Sequence, residues 1–188
     1  MKSDDLLIRH LNYQNSAETE KDYLKSLAVN GQKPHTMYIG CCDSRVIPEV
    51  LTDSKPGELF VLRNIANRVP SFDEKEESVR SAITYAVKYL NVQHIVVCGH
   101  TGCGGVEASK NPDAIDDPVL KSWVSKVKPS VEKNVINSLI NLETYPIISN
   151  SLQEKKIQLH GWIYDIDRIG INIWDGFDWC PVEDIVRK

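Results

Sequence analysis

Long apolar runs and a strong net charge are both missing from this 188-residue chain. No stretch approaches the roughly 20 apolar residues that a membrane-spanning helix needs, which argues against an integral membrane protein. Its 22 basic and 26 acidic residues leave a formal net charge of −4, which gives no electrostatic case for binding nucleic acid or anionic membranes. The segment from Met1 to Asp5 is acidic and lacks the apolar core of a signal peptide, so we expect a cytoplasmic protein.

Internal repeats, low-complexity tracts and convincing linkers are also absent, which favours a single domain. With 41% hydrophobic and 26% charged residues, a chain of 188 residues can bury a substantial core without disulfides. We therefore expect one domain over residues 1–188. It would consist of a helical arm at 1–30, a core at 31–175 and a C-terminal tail at 176–188.

The chain has five cysteines, an odd number that fits poorly with a disulfide framework. Four of them cluster at two places, with Cys41 beside Cys42 and Cys98 near Cys103, whereas Cys180 stands alone near the C-terminus. Metal-bound thiolates in a reducing compartment explain this distribution better than disulfides in an oxidising one.

Short apolar runs bounded by turn residues predict the strands of the core. Residues 36–40 and 58–63 form two such runs, and residues 95–98 form a compact β-branched third. Between the second and third runs, apolar residues recur on one helical face from Val79 to Leu90. Strand, helix and strand in this order predict a βαβ unit with parallel strands and a right-handed crossover.

The remaining segments extend this unit into an α/β fold. Extended runs at 157–165 and 169–174 predict a hairpin or meander that widens the sheet. Helices are predicted over residues 3–28, 118–128 and 130–152. The fold expected is a central, mostly parallel β-sheet flanked by helices, with an N-terminal helical arm.

Cys41 and His100 each follow a predicted strand directly. Ligands of open α/β sheets gather outside the carboxyl ends of the strands, so these two distant residues can meet there. Cys103 lies three residues after His100. Two thiolates and one imidazole are a good zinc set, and three protein ligands leave a fourth tetrahedral position for water. Such an open site indicates chemistry, whereas a fourth protein ligand would indicate a structural role.

The pattern alone leaves some of these residues open. Cys42 could be the ligand in place of Cys41, although neighbours in an extended segment point in opposite directions and only one should reach the metal. Cys98 lies in an apolar strand and is expected in the core. Asp43 and Arg45 are either a surface ion pair worth less than about 1 kcal/mol or a working dyad. In the dyad, arginine would hold the carboxylate as a hydrogen-bond acceptor and keep it off the metal.

Taken together, these motifs resemble those of the β-class carbonic anhydrases. The resemblance covers about residues 30–175. It rests on residues 40–46 (Gly-Cys-Cys-Asp-Ser-Arg-Val), 56–64 and 96–105, with shorter matches at Tyr85-Ala86-Val87 and Leu159-His160-Gly161-Trp162.

The resemblance implies roles for individual residues. The zinc ligands fall on Cys41, His100 and Cys103, because the family motif is Cys-x-Asp-Ser-Arg. The catalytic dyad falls on Asp43 and Arg45. The resemblance also implies five substrate-binding residues, namely Gln32, Phe60, Ile65, Tyr85 and Gly104. Of these, Gln32 is implied to hydrogen-bond bicarbonate.

The activity implied is the reversible hydration of carbon dioxide to bicarbonate and a proton, by attack of zinc-bound hydroxide. One zinc ion per chain is implied, together with a homodimer or higher homo-oligomer in which the adjacent subunit supplies part of the pocket. Tyr38 stands where some members carry the tryptophan of an inhibitory bicarbonate site. With Ile47-Pro48, it favours the plant-type subclass, which lacks that site.

Three other functions would use the same residues. A zinc hydrolase of carbonyl sulfide or carbon disulfide needs the same hydroxide and would differ in access to the pocket. A non-catalytic dimer that binds zinc or bicarbonate would have no use for a restrained Asp43. A redox dithiol protein would depend on Cys41 and Cys42, which lack the two-residue spacer of the usual redox motif.

Overall fold

A computed structural model of the chain describes residues 3–16 and 20–186. They form two compact units, of which the first ends at Lys33 and the second begins at Pro34. The first unit contains helices α1 (Ser3–Ser16) and α2 (Lys21–Asn30). Both agree with the helical region predicted at 3–28, of which residues 17–19 lie outside the described residues.

The second unit is built on a sheet of six strands within the described residues. The strands are β1 (Thr36–Cys41), β2 (Leu59–Asn64), β3 (His94–His100), β4 (Gln158–Asp165), β5 (Gly170–Trp174) and β6 (Trp179–Pro181). Their order in the sheet is β2-β1-β3-β4-β5-β6. The first four are parallel, and β5 and β6 are added in antiparallel fashion. The predicted α/β fold with a mostly parallel sheet is therefore confirmed.

The two central strands are apolar along their length because both of their faces are buried. Ile39 and Val97 lie in register on one face and belong to the main core under the helices. Tyr38 and Val96 lie in register on the other face and belong to a second cluster. A strand covered on both sides reads as a continuous apolar run, which is how β1 and β3 could be predicted.

Seven further α-helices are defined in the second unit, counting only residues 34–186. They are α3 (Pro48–Leu51), α4 (Glu77–Lys88), α5 (Gly104–Ala108), α6 (Pro118–Val124), α7 (Val131–Glu143), α8 (Pro146–Gln153) and α9 (Val182–Val186). The helix predicted between β2 and β3 is α4, which buries Val79, Ile83, Ala86 and Val87. No helix in the described part of the chain is long and apolar enough to cross a membrane.

The single helix predicted over residues 130–152 is wrong, since α7 and α8 occupy that segment separately. Pro146 is the first residue of α8, and Tyr145 before it is extended, with φ −78° and ψ 121°. Proline has no N–H for a helical hydrogen bond and disfavours a helical conformation in the preceding residue. The apolar stripe continues across the break, and this continuity concealed it.

The segment 176–188, predicted as a tail, contains a strand and a helix. β6 pairs with β5 through the register Trp174 with Trp179, and α9 follows at once. The carboxylate of Asp175 accepts the backbone N–H groups of Phe177 and Asp178, both at 2.8 Å, and so closes the turn between the strands. A strand of three residues is too short to show a period, which is why the sequence did not reveal it.

Helix α7 lies directly on β3 and β4 because glycine stands at the contact points. A Cβ atom at Gly99 would lie 2.6 Å from Cγ1 of Val131 and 2.9 Å from Cγ2 of Val135. A Cβ atom at Gly161 would lie 2.9 Å from Leu139. The two valines are β-branched and have few alternative rotamers in a helix. A Cβ atom at Gly99 would therefore cause an overlap whose relief costs free energy.

We therefore predict that Gly99→Ala lowers the free energy of unfolding by about 1–3 kcal/mol, the usual cost of overpacking a core. Gly170→Ala is the matched control, because a Cβ atom there meets nothing within 4 Å. Its free energy of unfolding should stay within about 0.5 kcal/mol of the parent protein. Urea denaturation measures both, and an equal loss in the two variants would contradict the packing argument.

Candidate metal centre

The carboxyl ends of β1 and β3 bring the predicted donor residues together. Cys41 is the last residue of β1 and His100 the last of β3, and the two strands are adjacent and parallel. The chain then turns at Gly102, whose φ of 65° is a conformation that glycine adopts without steric strain. Cys103 follows as the N-cap residue of α5.

The three donor side chains form one buried cluster. The Sγ atoms of Cys41 and Cys103 are 3.8 Å apart, and these atoms and a ring nitrogen of His100 all lie within 4.8 Å of one another. The exposed fractions of the three residues are 5%, 4% and 0%. Tetrahedral zinc with ordinary bond lengths separates its sulfur and nitrogen ligands by about 3.5–3.8 Å, and the separation of the two sulfurs matches such a site.

His100 is held in the tautomer that a metal ligand needs. Its Nδ1 lies 3.0 Å from the carbonyl oxygen of Thr101, and since a carbonyl only accepts, Nδ1 carries the hydrogen and donates it. Its Nε2 is buried and has no hydrogen-bond partner among the described residues. A buried polar atom without a partner costs free energy, and a bound cation would remove that cost.

The surroundings of Cys41 favour a thiolate. The hydrogen bond with Cys103 is the largest cause that lowers the pKa of Cys41, and burial opposes it. The neighbouring imidazole of His100 and the backbone N–H groups of Asp43 and Ala66 lower the pKa further. The contact with Cys41 raises the pKa of Cys103, because without a metal the two sulfurs share one proton. A cation bonded to both sulfurs would displace this proton, so the donor set fits zinc.

The carboxylate of Asp43 is bound by Arg45 beside this cluster. Its Oδ1 accepts the backbone N–H of Arg45 at 3.0 Å and Nε at 2.9 Å, and its Oδ2 accepts Nη2 at 2.7 Å. These hydrogen bonds hold the pKa of Asp43 well below its ordinary value. Oδ2 lies 3.8 Å from Nε2 of His100. The structure thus brings the predicted dyad together at the metal centre, and its part in catalysis stays a prediction.

Arg63 holds the backbone of the same loop, a contact that the sequence did not indicate. Its Nε donates to the carbonyl oxygen of Cys41 at 2.8 Å, and its Nη2 donates to that of Asp43 at 2.7 Å. Arg63 lies on β2 in register with Gly40, so a planar guanidinium reaches two carbonyls of the neighbouring strand and loop. A charged residue at the carboxyl end of a strand was the available signal, but nothing in the sequence named its partners.

The loop after β2 is held in an uncommon conformation next to the centre. Ala66 and Asn67 have φ of 62° and 46°, which is unusual for residues other than glycine and costs free energy. Asn134 of α7 donates its Nδ2 to the carbonyl oxygen of Ala66 at 2.7 Å. Asn64 closes the loop by accepting the N–H of Arg68 and donating to its carbonyl. These bonds direct the backbone of the loop towards the metal centre.

Two of the predicted substrate-binding residues lie near the donors of the same chain. A Cβ atom at Gly105 would lie 2.7 Å from Cγ2 of Ile65, so Ile65 packs against the start of α5, two residues after Cys103. Ile65 is 40% exposed. Gly104 is exposed, and a Cβ atom there would meet nothing within 4 Å. Their contact with substrate stays a prediction.

Phe60 and Tyr85 lie away from the donors of their own chain. Phe60 stands four residues before the carboxyl end of β2, which places it about 13 Å along the strand from the edge where the donors meet. Its ring packs against Tyr85 of α4, with centroids 5.9 Å apart. Gln32 belongs to the N-terminal unit and is exposed there. The roles of these three residues also stay predictions.

The remaining cysteines near the motifs do not join the cluster. Cys42 is exposed, whereas its neighbour Cys41 is buried with the other donors. Cys98 is fully buried in the core, as its apolar strand predicted. The alternation of side chains in an extended segment therefore selects one of the two adjacent thiols.

Fold and donor set together define a class of metalloproteins, in which an open site of two cysteines and one histidine lies at the carboxyl edge of a parallel sheet. A family model described as carbonic anhydrase matches residues 36–134 and 128–170. A carbonic anhydrase of Pseudomonas aeruginosa is 36% identical over 193 aligned positions, which cover 92% of this chain and 87% of that protein.

Solved structures agree with this match. The β-carbonic anhydrase CcaA superposes with a TM-score of 0.89 at 29% identity, over 96% of this chain and 100% of that chain. A structure reported among two tetrameric β-carbonic anhydrases of Sordaria macrospora superposes with a TM-score of 0.71 at 27% identity, over 91% and 95% of the chains. The chain belongs to the β-carbonic anhydrase family.

We predict that Cys41→Ser weakens zinc binding by at least about 100-fold, more than the loss of a partner outside the coordination sphere. Cys42→Ser is the matched control and should retain the zinc of the parent protein, since Cys42 is exposed and outside the cluster. Zinc per chain after dialysis, measured by plasma mass spectrometry, distinguishes the two. Loss of zinc from Cys42→Ser with retention by Cys41→Ser would overturn the assignment.

Proposed function

We propose that this chain catalyses the reversible hydration of carbon dioxide to bicarbonate and a proton, with one zinc ion held by Cys41, His100 and Cys103. The observation that carries the proposal is the buried donor cluster with an arginine-bound carboxylate beside it. Membership of the carbonic anhydrase family supports it. The enzyme is accordingly a lyase, a carbonate dehydratase.

When bound, zinc acts as a Lewis acid that makes hydroxide available near neutral pH. Asp43 would accept a hydrogen bond from the attacking hydroxide and so orient an oxygen lone pair towards carbon dioxide. Arg45 binds both carboxylate oxygens of Asp43, so the carboxylate would be held as a hydrogen-bond acceptor beside the residues that would bind the metal. Because the pKa of Asp43 is lowered by those bonds, this acceptor remains ionised at moderately acidic pH.

Arg63 serves this chemistry as a positioning residue. Its two hydrogen bonds fix the carbonyl groups of Cys41 and Asp43, so one side chain sets the distance between a metal ligand and the acceptor carboxylate. Small displacements of such groups are costly in rate, since catalysis depends on a narrow range of geometries. Arg63 thus fixes the backbone of this loop, and Arg45 fixes the side chain of Asp43 within it.

The substrate pocket is completed by a second copy of the chain. Phe60 and Tyr85 lie away from the donors of their own chain, and Tyr85 is 46% exposed. Tyr89 stacks on Tyr85 with centroids 5.6 Å apart and is 63% exposed. A homodimer or higher oligomer would cover this aromatic surface and bring it to the partner's zinc, while Gln32 hydrogen-bonds bicarbonate. The tetrameric relatives support this arrangement.

We also propose that the enzyme belongs to the plant-type subclass, which lacks an inhibitory bicarbonate site, and that it is cytoplasmic. Support for the subclass comes from Tyr38, which replaces the tryptophan of that site and is buried. A Cβ atom at Gly40 would lie 2.8 Å from the Tyr38 ring. The ring of Trp162 packs edge-on against that of Tyr38, with centroids 6.4 Å apart. A cytoplasmic location suits a centre that depends on reduced thiols.

We predict that Asp43→Asn retains zinc but lowers kcat for carbon dioxide hydration by about 100-fold or more, the usual contribution of a positioned proton acceptor. An amide can donate the wrong hydrogen bond to hydroxide and loses the ionic contact with Arg45. Stopped-flow hydration assays on protein with quantified zinc measure this. Asp53→Asn, at an exposed position with φ 50° that asparagine tolerates, should leave kcat unchanged.

Two results of that experiment would count against the proposal. Normal turnover by zinc-replete Asp43→Asn would remove Asp43 from the mechanism. No turnover by the zinc-replete parent protein at neutral or alkaline pH would contradict carbon dioxide hydration itself.

For the shared pocket, we predict that Tyr85→Glu shifts the protein to a smaller species in sedimentation velocity and lowers kcat/KM. A carboxylate on the aromatic surface would have to be desolvated in the assembly, which disfavours association. Phe177→Glu is the control, because Phe177 is 93% exposed in the turn before β6. A parent protein that is fully active as a monomer would contradict the proposal.

A further inference from the structure

Three histidines gather at the edge of the sheet opposite the metal centre. Nδ1 of His94 lies 3.1 Å from Nε2 of His160, and the ring of His35 packs edge-on against His94 with centroids 6.4 Å apart. His94 begins β3 and His100 ends it, so the two sites are about 20 Å apart along the strand. This histidine cluster has no part in the proposed function.

The pair of imidazoles is fixed by the pairing of β3 with β4. His94 is in register with Gln158 and His160 with Val96, so the two histidines are diagonal neighbours on adjacent strands. Side chains two residues apart share a face, which places both rings on the face of Val96. A rigid sheet thus holds two nitrogen donors side by side, from residues 66 positions apart in sequence.

The separation of these nitrogens suits a shared metal ion. Two imidazole nitrogens 3.1 Å apart subtend about 100° at a metal with bonds of about 2.0–2.1 Å. That angle lies between the ideal values for octahedral and tetrahedral coordination. The hydrogen now shared between the two rings can move to a far ring nitrogen, so binding to neutral imidazoles releases no proton. Burial and the neighbouring His94 both lower the pKa of His160, which favours its neutral form.

The surroundings provide access and further ligand positions. His94 lines an open cavity of about 460 Å³ together with Gln158, Lys155 and Lys156, so solvent reaches the pair of histidines from the side of His94. Lys156 is paired with Glu154 at 2.7 Å. The positive charge of the lysines reduces the affinity for a cation. We therefore expect this site to bind a metal ion more weakly than the two-thiolate centre does.

We propose that His94 and His160 form a second metal site, which takes one divalent transition ion of the kind that prefers imidazole, such as nickel, copper or zinc. Water fills the remaining positions, and His35 is the nearest further imidazole. A metal held here joins β3 to β4 at their amino ends. Since it binds the folded state through residues from two strands, it stabilises the fold by mass action.

The test uses nickel, which does not oxidise thiols as copper does, on protein whose catalytic centre is already loaded with zinc. Isothermal titration calorimetry should show one nickel site per chain with a micromolar dissociation constant. His94→Gln and His160→Gln should each weaken it by at least about tenfold, since each removes one of two protein ligands. His10→Gln, at an exposed position in the N-terminal unit, and Cys42→Ser should bind as the parent does.

A second readout separates a lost site from a damaged fold. Nickel should raise the melting temperature of the parent protein and of His10→Gln but not that of His160→Gln, while carbon dioxide hydration is retained by all of them. Absence of nickel binding to the parent protein would overturn the proposal. So would equal binding by His160→Gln, or binding that disappears in Cys42→Ser and persists in His94→Gln.

Discussion

The meeting of two cysteine sulfurs and one imidazole nitrogen in a buried cluster that would hold a divalent cation is the constraint on which the rest of the site depends. Cys41 and Cys103 lie 3.8 Å apart with one proton between them, and Nε2 of His100 is buried without a hydrogen-bond partner among the described residues. A cation bonded to both sulfurs and to this nitrogen would displace the proton and give Nε2 a partner. The parallel pairing of β1 with β3 creates the site, because it places two strand ends at the same edge.

Two arginines determine how the polypeptide around that cation is arranged. Arg45 binds the carboxylate of Asp43, and Arg63 binds the backbone carbonyl groups on either side of Cys42. Their positive charges also offset part of the negative charge of two thiolates and a carboxylate. The loop at Ala66 adopts an uncommon backbone conformation in the same place, which the surrounding hydrogen bonds maintain. Strain and polar contacts therefore concentrate where the chemistry requires fixed positions.

The sequence predicted those parts of the molecule that leave a periodic or local signal. Strands buried on both faces, the amphipathic helix α4 and the meeting of Cys41 with His100 could be derived from such patterns. The break before Pro146 was concealed by an apolar stripe that continues across it, and β6 is too short to show a period. Contacts such as that of Arg63 depend on strand register, which appears only when the strands are paired.

Zinc coordination by two sulfurs and one nitrogen is tested most directly by X-ray absorption spectroscopy at the zinc edge. The purified protein with one zinc per chain should show two sulfur neighbours at about 2.3 Å and two nitrogen or oxygen neighbours at about 2.0–2.1 Å. A shell of four sulfurs, or one of nitrogen and oxygen alone, would contradict the assignment of Cys41, His100 and Cys103 as the ligands.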